Sequence, residues 1–206
     1  MGKRIPAIVE EIMKRVFAVL ALAGLLAAAC GGAGTPVAVA TTAAPTLSRA
    51  PTASPAPTPT TKTMVFTTDL LGANEVPAIA DAEQSCTGTA TVTLNVTMDP
   101  AAKITAATAK FEFSVKSCPT TTNLILSHIH QGAAGANGGV KVDSGMTAAA
   151  PIALTTGGTT FTKDNITVTD LQVATDLVAN PAGFYYNVHS MVHPLGVVRG
   201  QLKLKT

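Results

Sequence analysis

Between residues 88 and 97 the chain alternates without a break: Ala90, Val92, Leu94 and Val96 are separated by Thr91, Thr93 and Asn95. A period of two does not fit a helix, whose faces repeat every 3.6 residues, and it specifies a strand with one buried and one wet face. The period returns over residues 103–115, a strand or pair of strands, where Phe111, Phe113 and Val115 oppose Lys110, Glu112 and Ser114. Shorter runs at 64–71, 124–130, 140–142, 159–169, 183–190 and 196–204 are set off by turn-forming residues. Such a pattern predicts an all-β fold, an antiparallel sandwich or barrel of Greek-key type. One short helix interrupts it, capped by Asp170, carrying Leu171, Ala174, Leu177 and Val178 on one side, and ended by Asn180-Pro181.

The N-terminal region is of another kind. Lys14 and Arg15 precede an apolar run over residues 16–29 that stops at Cys30, the pattern of an export signal. Met13 is a natural alternative start, which makes residues 1–12 over-annotation. Leu25-Leu26-Ala27-Ala28-Ala29-Cys30 resembles a bacterial lipobox, although the leucine stands one place earlier than usual. The resemblance implies lipidation of Cys30 and attachment to a membrane; the other reading is an ordinary signal peptide cut after Ala29. A transmembrane anchor fits less well, because the run is shorter than the ~20 residues that span a bilayer. Residues 30–62 are nearly all Ala, Thr, Pro, Gly and Ser, too poor in large apolar groups to offset ordering entropy. They are expected to be a disordered, partly polyproline tether. Residues 63–206 then make one domain.

The net charge of +2, with aromatic residues at 4% and no stripe of Lys and Arg, excludes nucleic acid as a partner. Cys86 and Cys118 fall inside an exported domain, where a disulfide is their expected fate, and their spacing fits no zinc motif.

All four histidines sit in two stretches, Ser127-His128-Ile129-His130 and Asn187-Val188-His189 with His193 just beyond. Two residues apart on a strand, His128 and His130 leave one face, which the alternation shares with Leu124 and Leu126. If the second strand lies alongside, His128, His130 and His189 face one pocket with His193 on the next turn. Neutral imidazoles so placed suit copper or zinc, with Asp143 as a neighbouring carboxylate. In the competing reading the histidines are structural: they hydrogen-bond with Asn187 around a buried Glu75–Arg199 ion pair that joins the two ends of the domain. No Gly-x-Ser-x-Gly elbow or paired acid and base is present, and Ser127 and Ser190 point away from the histidines beside them. No catalytic residue and no cofactor is therefore assigned. Tyr185 and Tyr186 are read as sheet packing, and the glycine-rich residues 132–139 as a flexible turn, since no helix follows to receive a phosphate.

Three blocks in order resemble the CHRD domain, the module repeated in the developmental antagonist chordin and found singly in bacterial exported proteins. They are Leu71-Gly72-Ala73-Asn74-Glu75-Val76-Pro77, the His128-Ile129-His130 block, and Asn187-Val188-His189 continuing through His193-Pro194 and Gly196 to Arg199-Gly200-Gln201-Leu202. Ala78 departs from a second proline common in the family, and the two cysteines lie outside the shared pattern. The resemblance implies an all-β module outside the cytoplasm, protein-binding in chordin and not an enzyme. The expectation is a lipoprotein of the cell membrane or outer membrane with a non-enzymatic domain that meets an extracellular protein or glycan. The alternative is a copper or zinc protein, weakly redox active, built on the histidines.

Overall fold

The computed structural model describes residues 57–206, so the expected export signal, Cys30 and most of the expected tether lie outside the described residues. Ten strands follow in chain order: β1 (Thr60–Leu71), β2 (Thr87–Met98), β3 (Ile104–Lys116), β4 (Asn123–Gln131), β5 (Val140–Asp143), β6 (Ile152–Ala153), β7 (Thr159–Thr167), β8 (Phe184–Ser190), β9 (Val198–Gln201) and β10 (Lys203–Leu204). One helix, α1 (Leu171–Ala179), is capped by Asp170, whose side chain accepts from the Gln172 amide. All strand pairs are antiparallel, in the order β5-β4-β8-β9-β1-β2-β3-β7, with β10 beside β1 and β6 beside β4. The all-β expectation holds, and the sheet curls into a nearly closed barrel. Phe111 and Phe113 of β3 meet Tyr186 of β8 across the core at ring separations of 6.0 and 6.2 Å.

The alternation of residues 88–97 buries Ala90, Val92, Leu94 and Val96, and that of β3 buries Phe111, Phe113 and Val115. Residues 104–116 form one strand, not two. From α1, Val173, Ala174 and Leu177 enter the same core, with Leu171 and Val178 partly buried against it. Cys86 and Cys118 are joined, tying the residue before β2 to the segment after β3. β1 begins inside the stretch assigned to the tether, because β2 extends far enough to pair Thr60 with Met98 and Lys62 with Val96.

β4 departs from the expected alternation. Its register against β8 shifts between Leu124, opposite Ser190, and Leu126, opposite His189, so Ile125 is an extra residue. A bulge of this kind reverses every later side chain. Leu124 and Ile129 belong to the core, whereas His128 and His130 share with Leu126 the opposite, outward face. The histidines do not continue the core face as the sequence suggests.

Candidate functional site

The outward face of β4, β8 and β9 carries side chains that a solvent-facing sheet would not bury. Register places His128 opposite Asn187, His130 opposite Tyr185, Leu126 opposite His189, and Asn187 opposite Arg199. His128, His130, His189, Asn187 and Arg199 are nevertheless all buried, as is Glu75. Three loops cover them, each fastened by a backbone carbonyl. Gly138 supplies its oxygen 2.9 Å from His130 Nδ1, Pro194 supplies one 3.0 Å from His189 Nδ1, and Asn74 receives a hydrogen bond from Arg199 Nε. The loop of residues 132–139 is thus a lid and not a loose turn. A side chain at Gly138 would collide with the Gln131 carbonyl, and only glycine permits that approach.

The three rings form a compact triangle, with centroids 4.9 Å apart for His128–His189, 5.5 Å for His128–His130 and 5.7 Å for His130–His189. One ring nitrogen of each lies within 4.8 Å of the others. Tyr185 stacks on His130 at 4.9 Å, nearly parallel, and the Arg199 guanidinium also lies over the Tyr185 ring, 4.7 Å from its centre. The hydroxyl of Tyr185 accepts from the Gly138 amide. Tyr185 is therefore a wall of the histidine cluster, a role signalled in the sequence by its period-two spacing from Asn187 and His189. Tyr186 faces the core and donates to Ser127 Oγ, which also lies 2.7 Å from Ser144 Oγ.

Burial holds all three imidazoles below the usual histidine range, His189 down to about 4, with His128 adding a like-charge penalty to His189. Asp143 opposes the shift at His128, whose Nε2 faces the carboxylate at 3.5 Å. At neutral pH the rings are uncharged. Glu75 is pushed the other way, up to about 7, because burial outweighs the attraction of Arg199.

The Glu75–Arg199 pair is present, Oε2 to Nε at 3.9 Å, and Arg199 also donates to Ala136 O and Asn137 Oδ1. Asn187 Nδ2 donates to Leu195 O. Gly196, at φ 135°, leaves room that a Cβ would take from Asn187 and the Glu75 carboxyl. Of the five buried side-chain atoms without a partner among the described residues, four lie in this layer: Glu75 Oε1, His130 Nε2, Asn187 Oδ1 and Arg199 Nη2. His193 is corrected: it is not part of the histidine triangle. After β8 the chain turns, Ser190 Oγ accepts from the His193 amide, and His193 Nε2 settles 2.9 Å from Asp81 Oδ2 instead. Asp81 and the buried Glu83, which accepts from Ser190 Oγ, carried no signal that a sequence pattern offers.

A disulfide-bonded, nearly closed antiparallel barrel with a buried polar layer under three loops is the class these features define. The family model of the CHRD domain matches residues 66–202, and the chain belongs to that family, a group of extracellular-type modules. No curated protein and no solved structure matches it.

Proposed function

We propose that this chain is a membrane-tethered lipoprotein whose CHRD domain, outside the cytoplasm, is a non-enzymatic binding module for an extracellular protein. One observation carries the reading. Met191, Val192 and Leu195 stand 63%, 62% and 85% exposed within one loop. Beside them lies a cavity of about 290 Å³ lined by Val76, Pro77, Ala78 and Ile79. Large apolar side chains clustered at a concave edge are costly to hydrate and mark the centre of a protein contact. The loop is anchored from beneath through Pro194 O and Leu195 O, so it is presented already ordered. Cys86–Cys118 and the family membership support a location in an oxidising compartment.

A photo-crosslinking amino acid placed at Leu195 of the full chain, in its own cell envelope, tests this. Discrete protein adducts are expected from position 195 and not from the exposed β7 position Lys163, and Val192→Glu should abolish them. Adducts with polysaccharide alone would make the partner a glycan. Labelling at 195 no stronger than at 163 would sink the proposal.

A further inference from the structure

Three ring nitrogens converge in the histidine triangle, and hydrogens on neutral rings cannot satisfy all three. A carbonyl oxygen only accepts, so His189 Nδ1 facing Pro194 O and His130 Nδ1 facing Gly138 O each carry the hydrogen of a neutral ring. The Nε2 of both is then a bare lone pair. His128 is turned the other way round: its Nε2 faces the Asp143 carboxylate, also an acceptor, at 3.5 Å, which leaves the lone pair on Nδ1. That Nδ1 sits 3.1 Å from His189 Nε2. Two lone pairs at such a distance repel; moving the His128 hydrogen to Nδ1 relieves that pair and turns a bare Nε2 toward the exposed Asp143 carboxylate, but it gives His130 nothing. His130 Nε2, buried beside them, has no partner at all. With neutral rings, no placement of hydrogens satisfies the cluster, whereas one cation at the point of convergence satisfies every member.

We propose that His128 Nδ1, His130 Nε2 and His189 Nε2 bind a single late first-row transition-metal ion, copper or zinc. Three neutral imidazoles select these ions over magnesium or calcium, which require oxygen ligands. Bonds of about 2.0–2.1 Å place ligand nitrogens roughly 3.4 Å apart. The His128–His189 pair, at 3.1 Å, is thus near that spacing, and His130 completes the set by closing in. The outer layer has the form that orients metal ligands: each ring offers its other nitrogen to an oxygen, namely Gly138 O, Pro194 O and the Asp143 carboxylate. Asp143 is paired with His128 by strand register, so the sheet itself sets that contact. This site meets the apolar loop proposed above through the His189–Pro194 contact, but metal uptake and crosslinking are separate readouts, so either assignment can fail without the other.

The test uses the full chain, exported and free of any affinity tag. Metal content is measured by mass spectrometry, and the protein is then stripped with chelator and titrated separately with zinc and copper. The expected result is about one ion per chain and a higher melting temperature for the stripped protein on refilling. Uptake of zinc, of copper or of both supports the site and identifies its ion. His130→Phe keeps the ring stacked on Tyr185 and removes the ligand nitrogen; it should melt near stripped wild type and lose the metal-dependent gain. Should that variant fold poorly, the exposed Asp143→Asn loosens only the orientation of His128, and about a tenfold loss of affinity is expected. Failure of both ions to raise the melting temperature of stripped wild type overturns the proposal. So does metal binding by a folded His130→Phe as tight as that of wild type.

Discussion

Glu75 is a carboxyl group in surroundings that favour its neutral form. It is 6% exposed, Oε1 has no partner, and Oε2 is too far from Arg199 Nε, at 3.9 Å, for a hydrogen bond. Its pKa, raised from 4.5 to about 7, means that the folded state holds the proton more tightly than the unfolded chain does. The resulting stabilisation is complete below pH 4.5 and is lost as pH rises to about 7. The histidines have the opposite sign: depressed in the folded state, they cost stability as pH falls through 6.5. Glu75→Gln resembles the protonated acid and removes only the first dependence. The variant should match wild type near pH 4 and exceed it by about 3 kcal/mol at pH 8, since each pKa unit is worth about 1.4 kcal/mol. Urea midpoints for both proteins across this range supply the comparison, in which the histidine contribution cancels. A difference that does not vary with pH would show that folding leaves the Glu75 pKa unshifted.

Regular alternation was legible from the chain alone wherever one face of a strand is apolar and the other polar, as in β2 and β3. The helix was legible because Asp170 and Pro181 mark its ends. β4 was misread at Ile125, because a bulge leaves no trace in composition and one extra residue reverses the strand after it. The pairing of β4 with β8, and with it the grouping of three histidines, survived that error because two residues on one strand keep a common face whichever face it is. His193 stands on the turn where the sequence puts it, but its ring leaves the ligand set because it pairs with Asp81, 112 residues away in sequence. The join between Cys86 and Cys118 belongs to this scale as well, because it closes the open end of the β2–β3 hairpin. Linking residues 32 apart restricts the unfolded chain, a contribution of roughly 3.5 kcal/mol on the loop-entropy account. The Cys86→Ala/Cys118→Ala double variant should therefore lose about 3 kcal/mol in denaturant unfolding. A loss below about 1 kcal/mol would mean that residual contacts already hold the hairpin together in the unfolded chain.

At the scale of the whole molecule, the barrel and its attachment are separable. Among the described residues no helix is long and apolar enough to cross a membrane, and β1 starts with the exposed residues Thr60 and Thr61. On the proposed reading, attachment therefore falls to Cys30, with the Pro- and Thr-rich segment between as a spacer. An acyl chain gains about 0.8 kcal/mol per buried CH₂, so removing the acylated thiol removes most of the membrane affinity at once. Cys30→Ser should move the exported chain from the membrane pellet to the soluble fraction, and labelled fatty acid should enter wild type only. The melting temperature of the domain should not change, because the core is drawn from residues 64–202. If the variant is still exported, still sediments with membranes and is released only by detergent, the apolar run of residues 16–29 is the anchor and lipidation is not. If it sediments but washes off in high salt, the attachment is a contact with a membrane protein, and Leu195→Ser would then be the substitution that frees it.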